Sequence, residues 1–564
     1  MDNKTISNQL NLLSQLMELN GDNQFKIKSL AASAYKIRKL PFSISKKTTE
    51  ELEKIDGMGK STATKIHELV TTGSIAEMDQ LLEQTPPGIV EMLGMKGIGP
   101  KKVLIIWKEL GIENIGELYY ACNENRLVDA KGFGAKTQEE IKKAIDFKMA
   151  SSGHVLYASI ENFAETFVQK LRGLWNTDNI SLTGAFRRRC ETLDGLDLLV
   201  ALPSEHILPE LESLGLTIKH QNEAGVETEF ANGIKIYFRF CDEREFYWQL
   251  FKQTGDTEHV EEIINLLGKE LSNAESEHEV YESAGLQFIE PELREGTEWI
   301  ERAKSSSIPQ LITFQDLKGT LHNHSTWSDG VHTLQEMAIF CRDELKLEYL
   351  GISDHSKTAF YAGGLKEEQI IRQHQEIDEL NNKLAPFHIF KGIESDILFD
   401  GQLDYSDEVL ATFDFVVASI HSVFKMSEEK ATSRLITAIE NPFTTILGHP
   451  TGRLLLSRSG YPIDHKKIID ACAANQVVIE VNSNPLRLDM DWRWHQYALE
   501  KGVILSINPD AHRNDGFYDM HYGTLVARKG GLSAAKCLNA LSLEELTAFF
   551  QKKKSLNPAR KQTI

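Results

Sequence analysis

The sequence predicts a multidomain protein with an all-helical N-terminal region, a mixed α/β middle region and a C-terminal barrel of alternating strands and helices. Three observations support this prediction. The chain has 564 residues, which corresponds to roughly three to five domains at about 100–200 residues each. A short Gly-apolar-Gly pattern recurs three times within residues 1–150, and at least six strand-then-helix units follow one another after residue 310.

Composition favours a globular protein of the cytoplasm. Hydrophobic residues make up 41% of the chain and charged residues 26%, which is ordinary for a packed globular protein. No window approaches about eighteen uninterrupted apolar residues, and the first residues lack the basic and then apolar run of a signal peptide, so we expect neither a membrane span nor secretion. The six cysteines are scattered singly without a CxxC motif, which argues against a disulfide framework and favours a reducing compartment.

The net charge of -20 argues against nucleic-acid binding at first sight, but the acidic residues are unevenly distributed. Residues 1–150 contain 21 Lys and Arg against 20 Asp and Glu, whereas the remainder contains 41 against 62. Twelve of the 18 histidines lie after residue 320. A nucleic-acid contact is therefore compatible with the N-terminal region, and the later carboxylates are either metal ligands or solvated helix faces.

Residues 1–150 are predicted to be helical, with three helix-to-helix turns of one design. Glycine permits a positive φ in each turn and leaves backbone N–H groups open at the next helix N-terminus, where a phosphate can bind. A single turn of this kind could be an ordinary connection. Three copies, each followed by lysine, resemble the helix-hairpin-helix motif, which holds the nucleic-acid backbone without reading sequence. The residues predicted to contact DNA are Gly57, Gly59, Lys60, Gly97, Gly99, Lys101, Lys102, Gly132, Gly134 and Lys136.

The domain boundaries follow from composition and from the predicted elements. The segment Thr85-Pro-Pro-Gly88 divides the helical region into 1–84 and 85–150. The middle region, 151–305, contains strand-like runs at 196–201 and 234–240. A Ser-rich stretch indicates a linker at 306–316, and the barrel is predicted over 317–564.

Histidines and carboxylates follow the predicted strands of the barrel. The pattern Leu321-His-Asn-His324 places both imidazoles on one side of a strand. In a (β/α) barrel the C-terminal strand ends converge, so distant ligands meet at one cavity. A single histidine is more often a surface or core residue, but nine nitrogen and oxygen donors without cysteine suit Mn²⁺, Zn²⁺ or Fe²⁺. The predicted ligands are His322, His324, Asp329, His355, Glu394, His421, His449, Asp510 and His512.

These motifs, HNHSTWSDG, GISDH, GIESDI, SIHS, GHP and PDAH, resemble the polymerase and histidinol phosphatase (PHP) domain. The resemblance implies a distorted (β/α)₇ barrel that binds up to three metals and hydrolyses phosphoesters, with Mn²⁺ favoured for activity and catalytic roles for Glu394, Asp510 and His322. The first metal would be held by His322, His324, Glu394 and Asp510, and Glu394 would bridge to a second held by His421 and His449. The third would be held by Asp329, His355 and His512. Arg453 and Arg487 are candidates either for a phosphate clamp or for structural ion pairs.

The middle region contains Thr183-Gly-Ala-Phe-Arg-Arg-Arg-Cys-Glu-Thr-Leu-Asp-Gly-Leu-Asp197, which resembles the nucleotidyltransferase palm of family X DNA polymerases. Together with the hairpins and the PHP motifs, the resemblance to bacterial family X polymerases covers almost the whole chain. It implies a lyase-like domain over 1–84, a fingers-like domain over 85–150, and a palm and thumb over 151–305.

The polymerase motif is incomplete. Two-metal nucleotidyl transfer needs carboxylates at positions i and i+2 of a strand. Asp197 matches the second of these, but the first falls on Gly195, and Asp194 would need a β-bulge to face the same side. The third aspartate of the family aligns with Tyr237, which cannot replace a hard anionic ligand. We therefore expect polymerisation to be lost or very weak, with Mg²⁺ bound only if Asp197 still forms a working site.

Two other motif positions also depart from the family, and a third is open to more than one interpretation. Ala185 replaces a serine, and Asp256 in Thr254-Gly-Asp256 places an anion where a triphosphate would lie. Lys65 aligns with the Schiff-base lysine that removes deoxyribose phosphate in some relatives. A lysine there can also be a phosphate contact or a solvated residue.

The leading hypothesis is a monomeric DNA-repair enzyme that binds gapped, nicked or 3′-recessed DNA independently of sequence. The resemblance implies a Mn²⁺-dependent 3′ to 5′ exonuclease, with 3′-end or abasic-site processing. Three alternatives remain open. They are an active gap-filling polymerase with a proofreading barrel, a non-catalytic DNA-binding scaffold, and a small-molecule phosphatase that acts on an ester such as histidinol phosphate.

Overall fold

The computed structural model describes residues 1–95, 97–128, 130–150, 153–222, 225–230 and 233–555. The chain divides into two units, Met1–Asp146 and Phe147–Ile564. This division lies close to the predicted boundary at residue 150, whereas the boundaries near residues 85, 306 and 317 stay predictions. No helix in the described ranges is long and apolar enough to span a bilayer.

The N-terminal unit is all-helical, as predicted. Asp2 caps the first helix by accepting a hydrogen bond from the Thr5 amide at 2.7 Å, and the apolar residues at spacings of three and four are buried in its core. The helices are α1 (Asn3–Leu19), α2 (Gln24–Lys39), α3 (Thr49–Glu53), α4 (Lys60–Thr72), α5 (Ala76–Gln84), α6 (Pro87–Leu93), α7 (Pro100–Lys108), α8 (Ile115–Asn123) and α9 (Ala135–Ala150).

The middle region begins the second unit with a small antiparallel pair and a five-stranded mixed sheet. The strands are β1 (Val155–Leu156), β2 (Ile180–Leu182), β3 (Thr192–Leu193), β4 (Leu196–Val200), β5 (Leu216–Asn222), β6 (Gly225–Phe230) and β7 (Lys235–Phe240). In the sheet the order is β2-β4-β7-β6-β5, and only the β4–β7 pair is parallel. The two strands predicted from sequence, β4 and β7, are therefore neighbours.

Helices surround this sheet and continue into the thumb. They are α10 (Tyr157–Trp175), α11 (Gly184–Arg187), α12 (Ser204–Leu211), α13 (Phe246–Thr254), α14 (Thr257–Leu267), α15 (Glu277–Ser283) and α16 (Glu298–Lys304). The predicted linker is packed, because Ile312 is fully buried and its amide donates to the Leu532 carbonyl at 2.9 Å.

The C-terminal region is a nearly closed barrel of seven parallel strands, which confirms the predicted fold. The strands lie in sequence order and are β8 (Gly319–Thr320), β9 (Tyr349–Ile352), β10 (His388–Asp396), β11 (Phe415–Ser419), β12 (Ile446–Leu447), β13 (Val478–Asn482) and β14 (Leu505–Asn508). At the seam between β8 and β14, Asn323 and Ala511 form an isolated parallel bridge, and the Leu321 amide donates to Asn508 Oδ1 at 3.1 Å.

The helices of the barrel region lie between and after the strands. They are α17 (Leu334–Asp343), α18 (Glu367–Leu384), α19 (Asp407–Leu410), α20 (Glu428–Glu440), α21 (His465–Asn475), α22 (His495–Glu500), α23 (Met520–Lys529) and α24 (Leu543–Ser555). Phe550 of α24 stacks on Phe415 with ring centroids 5.4 Å apart and meets the edge of Phe390 at 5.2 Å. These rings form an apolar cluster with Leu321, Tyr349 and neighbouring strand residues.

Candidate metal centre

All nine predicted metal ligands lie at or just after the C-terminal ends of six barrel strands. The strands are β8, β9, β10, β11, β12 and β14. The nine side chains are at most 11% exposed. Because parallel strands of a barrel end on one face, residues nearly 200 positions apart in sequence line the same cavity.

Glu394 lies at the middle of this cluster. Its Oε1 is 3.2 Å from His322 Nε2, 3.1 Å from His421 Nε2 and 3.0 Å from His449 Nε2. Its Oε2 is 3.0 Å from His355 Nδ1. One carboxylate therefore contacts imidazoles that follow four other strands. A ligand that bridges two metal ions needs such a central position.

A second set of contacts surrounds Asp510 and Asp329. Asp510 Oδ1 is 3.1 Å from His324 Nε2, and Asp329 Oδ1 is 3.4 Å from His512 Nε2. Asp329 Oδ2 is 3.6 Å from His355 Nε2. The structure thus brings the predicted residues together, and the assignment of individual ions to them stays a prediction.

Four overlapping groups have ligand atoms that all lie within 4.8 Å of one another. Two of them resemble the first and third predicted metal sites, whereas His421 and His449, predicted to share the second metal, fall in different groups. His322, His324, His355 and Glu394 are each shared between two groups. The groups are His322, His324 and Asp510; His322, Glu394 and His449; His355, Glu394 and His421; and His324, Asp329, His355 and His512.

The charges of the cluster suit a cation. Burial opposes ionisation, but the imidazoles of His421, His322 and His355 hold the pKa of Glu394 well below its ordinary value. Burial and the neighbouring imidazoles of His512 and His355 lower the pKa of His324 to about 3. At neutral pH Glu394 is therefore charged and His324 is neutral. Burial opposes protonation of His322 and His421, but nearby carboxylates raise the pKa of both imidazoles well above the ordinary value. A metal ion would have to displace protons from these two ligands.

Several donor atoms of the cluster make no hydrogen bond within the described residues. They are His322 Nε2, both ring nitrogens of His324 and Glu394 Oε2, and all are buried. Buried polar atoms are normally paired. A set of imidazole and carboxylate donors without thiolate fits a hard or borderline divalent cation, which would satisfy these atoms.

Two carboxylates behind the ligands were missed by the sequence analysis. Glu480 of β13 accepts a hydrogen bond from His322 Nδ1 at 2.7 Å, and Asp396 of β10 accepts one from His421 Nδ1. Such partners fix the tautomer and orientation of ligating imidazoles. A sequence signal existed for Asp396, because it lies two residues after Glu394 on the same strand face.

Two of the predicted ligands have backbone conformations that are unusual for residues other than glycine. His449 has φ +22° and Asp510 has φ +55°. Strained conformations of this kind cost about 1–3 kcal/mol each and cluster at functional sites.

Arg453 is occupied by protein groups. Its Nε donates to the Arg487 carbonyl at 2.9 Å, its Nη1 to Asp491 Oδ2 at 2.7 Å, and its Nη2 to the Leu488 carbonyl. These contacts favour the structural ion pair over the phosphate clamp. Arg487 is only 5% exposed, and its phosphate contact stays a prediction.

The three glycine turns of the N-terminal unit share one geometry. Gly57, Gly97 and Gly132 have φ values of +82°, +89° and +85°. Gly59 and Gly99 are the N-cap residues of α4 and α7, whose N-termini carry no side-chain cap, and α9 begins directly after Gly134. The following residues Lys60, Lys101 and Lys136 are exposed. The turns therefore have the open N–H groups and cations that phosphate binding requires, while the DNA contacts themselves stay predictions.

Lys65 forms an ion pair with Glu77 and is 20% exposed. The structure thus gives this lysine a carboxylate partner within the N-terminal unit. Its role in lyase chemistry stays a prediction.

The palm places Asp197 beside Tyr237 and two residues from Gly195, the two positions where the sequence lacks the expected carboxylates. Asp197 lies directly across from Tyr237 in the parallel register of β4 and β7. A Cβ added at Gly195 would lie 2.8 Å from the Lys235 carbonyl and 3.1 Å from the Tyr237 ring. Asp194 is 77% exposed and contacts His154 at 2.5 Å. Burial and the carboxylates of Glu227, Asp197 and Asp194 raise the pKa of Tyr237. Carboxylates therefore remain near this position, and the loss of metal binding here stays a prediction.

The basic residues of the palm motif are paired with carboxylates of the thumb. Arg187 contacts Glu277 at 2.5 Å, and Glu277 also pairs with the fully buried Arg294. Arg188 Nε lies 3.2 Å from Glu295 Oε1. Asp256 caps α14 by accepting from the His259 amide at 2.8 Å, and its position relative to a triphosphate stays a prediction.

Comparisons with known proteins agree with this arrangement. The model of the helix-hairpin-helix domain matches residues 1–75, and that of the SAM-like helix-hairpin-helix tandem matches residues 89–146. The DNA polymerase/3′-5′ exonuclease PolX of Bacillus subtilis (strain 168) is 34% identical over 98% of this chain and 100% of its own length. A probable phosphatase of Thermoanaerobacter sp. (strain X514) is 28% identical over 40% of this chain and 91% of its own length.

The barrel and its buried histidine–carboxylate cluster define a metal-dependent phosphoesterase of the PHP class. The hairpins and the palm add the elements of a DNA-processing enzyme. The chain belongs to the bacterial family X DNA polymerases that carry a C-terminal PHP domain, which confirms the resemblance seen in the sequence.

Proposed function

We propose that this protein repairs DNA in the cytoplasm by hydrolysing phosphoesters at 3′ ends in its C-terminal barrel, as a Mn²⁺-dependent 3′ to 5′ exonuclease. The observation that carries the proposal is the convergence of nine imidazole and carboxylate side chains, with Glu394 among them, at one end of the barrel. The name of the Bacillus subtilis relative supports the DNA substrate. The three glycine turns support binding to the DNA backbone of gapped, nicked or 3′-recessed substrates.

The residues of the barrel have separable roles in this proposal. Glu394 and Asp510 supply negative charge in a buried site, and His322 and His324 contact these carboxylates in the same cavity. Divalent ions bound there would activate the attacking nucleophile and neutralise charge on the phosphate. Glu480 keeps His322 in one orientation through its hydrogen bond to Nδ1.

Digestion of a labelled 3′-recessed duplex with Mn²⁺ tests the proposal. His322→Ala and Asp510→Ala are expected to abolish digestion, because each removes a donor from the cluster. His388→Ala is the matched control, because His388 lies at the start of β10, at the opposite end of the strand from Glu394. Equal digestion by the wild type and both site variants would refute the site. DNA binding that weakens with salt, without cleavage by the wild type or the variants, would favour the scaffold alternative.

We also propose that polymerisation is lost or very weak. Asp197 has no second carboxylate at the position of Gly195 or Tyr237, and Arg187 and Arg188 already form ion pairs with Glu277 and Glu295. An incoming triphosphate would have to break these ion pairs. Primer extension with Mg²⁺ and nucleotides is therefore expected to be undetectable, and extension that disappears in Asp197→Asn would contradict this.

A second candidate function is hydrolysis of small phosphate esters. The probable phosphatases match the barrel without the hairpins, since one of them covers 40% of this chain. Turnover of histidinol phosphate compared with turnover of a DNA 3′-phosphate separates the two functions. The DNA-processing proposal predicts a higher kcat/KM for the DNA 3′-phosphate.

A further inference from the structure

Among the nine predicted metal ligands, Asp329 lies furthest from a barrel strand. Strand β8 ends at Thr320, and Asp329 comes nine residues later. The other eight ligands lie within a strand or at most four residues after one. The position of Asp329 therefore depends on how the residues around it fold. We call residues 325–332 the β8 loop.

The β8 loop is folded tightly against the strand end from which it comes. The Gly330 amide donates to the Ser325 carbonyl at 2.9 Å. A Cβ added at Gly330 would overlap the His324 carbonyl oxygen, so only glycine permits this close approach. The Val331 amide donates to the His512 carbonyl at 2.8 Å. The loop is therefore joined to His512, another predicted ligand of the third metal.

Three hydrogen bonds connect the β8 loop to the carboxylate of Asp354, which is fully buried. Its Oδ1 accepts from the Ser325 amide at 2.8 Å and from Ser328 Oγ at 2.5 Å. Its Oδ2 accepts from Ser325 Oγ at 2.8 Å. Ser328 Oγ also lies 3.3 Å from Asp329 Oδ1. One hydroxyl group thus lies between the buried carboxylate and the predicted ligand.

Helix α18 contacts both Asp354 and the β8 loop. Gln373 Nε2 donates to Asp354 Oδ2 at 2.6 Å, and Trp327 Nε1 donates to Glu376 Oε2 at 2.9 Å. Gln373 and Glu376 are three residues apart and therefore lie on one face of the helix. The carboxylate, the helix and the loop form one hydrogen-bonded unit, so the loop cannot shift without breaking contacts to both of the others.

The carboxylate of Asp354 is already occupied by hydrogen bonds. A carboxylate has about four lone-pair directions, and protein donors approach each oxygen of Asp354 twice. In the described part of the chain, none of the four groups of candidate metal ligands includes this residue. Any effect of Asp354 on the metal centre therefore passes through the residues that it holds.

The residues held by Asp354 belong to one predicted metal. The β8 loop carries Asp329 and contacts His512, and His355 directly follows Asp354 in the chain. These three residues are the ligands predicted for the third metal. Other carboxylates support the imidazoles predicted for the other two metals. Loss of the charge at Asp354 should therefore affect one ion selectively.

We propose that Asp354 is a positioning residue that holds Asp329 in place for the third metal, so that binding of this ion, but not of the other two, depends on Asp354. The inference rests on the proposed metal-dependent function of the barrel, because it concerns one ion of that site. It does not depend on the identity of the substrate, since every contact involved lies within the barrel.

Counting bound ions tests the proposal. Full-length protein is equilibrated with Mn²⁺ at a fixed free concentration, and bound Mn²⁺ is measured by mass spectrometry of the metal. Asp354→Asn keeps the shape of the side chain but replaces one acceptor oxygen by a donor, so it should bind one ion fewer than the wild type. Asp329→Ala should lose the same ion, and the double variant should lose no further ion, because both changes act on one site. Asp343→Asn, an exposed residue on α17, is the matched control and should bind like the wild type.

Two results of this experiment would overturn the proposal. Equal metal content in wild type and Asp354→Asn would show that the third ion does not depend on this carboxylate. Loss of every ion from Asp354→Asn would assign the residue a general role in folding. Ser328→Ala is a milder variant, because it removes one donor and leaves the carboxylate in place. It should weaken the binding of one ion about tenfold, and unchanged affinity would count against the proposal.

Activity at high Mn²⁺ separates this inference from the nuclease function. Because Asp354→Asn retains Asp329, saturating Mn²⁺ should restore both its third ion and its digestion of a 3′-recessed duplex, whereas Asp329→Ala should stay impaired. Failure of Mn²⁺ to restore the third ion would overturn the inference. Selective loss of one ion from Asp354→Asn, together with no digestion by any protein including the wild type, would instead refute the nuclease function and support the inference.

Discussion

At the scale of single residues, the predicted metal ligands depend on partners behind them. His322 and Glu480 are both fully buried, and the imidazole Nδ1 donates to Glu480 Oε2 at 2.7 Å. This hydrogen bond leaves Nε2 directed at Glu394 and Asp510. The carboxylate therefore sets both the tautomer and the basicity of the ligand.

Glu480→Gln is expected to weaken Mn²⁺ binding about 10- to 100-fold, because the amide keeps the shape of the side chain but loses the charge behind His322. Titration calorimetry of the metal-free protein measures the change. Glu379→Gln, an exposed position on α18, is the matched control and should bind like the wild type. Equal affinity of the two variants would show that Glu480 does not support the ligand.

Another residue-scale prediction concerns Glu277 and pH. Burial opposes its ionisation, but hydrogen bonds and charge from Arg187 and Arg294 hold the pKa of Glu277 below its ordinary value. A carboxylate with a lowered pKa stabilises the fold above its unfolded pKa of about 4.3, and this contribution is lost as pH falls through the folded pKa. Glu277→Gln should therefore lower the free energy of unfolding by about 3 kcal/mol at pH 7.

Urea unfolding from pH 7 down to pH 3 measures this effect. The difference between wild type and Glu277→Gln should shrink as pH falls below about 4.3, because the wild-type carboxylate becomes protonated. Glu275→Gln, an exposed neighbour, should show little difference at any pH. A difference for Glu277→Gln that stays constant with pH would contradict the assigned ionisation.

At the scale of elements, sequence could predict what depends on local chemistry. The glycine turns were predictable because a positive φ is a property of a few adjacent residues. The strand ends were predictable because apolar runs precede His and Asp, even though β8 and β12 contain only two residues each. Glu480 was not predictable, since its partner His322 follows β8 and reaches β13 only when the barrel closes between β14 and β8.

The helix N-termini of the hairpins give the element-scale prediction. The triple variant Lys60→Glu, Lys101→Glu, Lys136→Glu should weaken DNA binding equally for all sequences and make the salt dependence less steep, because each lysine is expected to neutralise one phosphate. Fluorescence anisotropy across a salt series measures both. Lys143→Glu, an exposed residue later in α9, is the control. An unchanged salt slope in the triple variant would refute the predicted phosphate contacts.

At the scale of the whole molecule, the palm, thumb and barrel belong to one compact unit. Lys529 of α23 is 1% exposed, and its Nζ contacts Glu295 at 2.6 Å and the Arg188 carbonyl at 2.9 Å. A barrel lysine is thus buried against the palm motif and the thumb. No sequence pattern could predict this contact, because its partners are more than 200 residues away and have no shared motif.

Lys529→Met tests whether this contact couples the domains. Removing one member of a buried ion pair leaves Glu295 poorly compensated, so the free energy of unfolding should fall by about 3 kcal/mol. Lys501→Met removes an exposed pair with Asp470, whose side chains are 44% and 48% exposed, and should change stability by less than about 1 kcal/mol. Urea unfolding compares the two variants. Similar losses in both would mean that the buried lysine contributes no more than a surface pair, and the palm would then be held to the barrel by its other contacts.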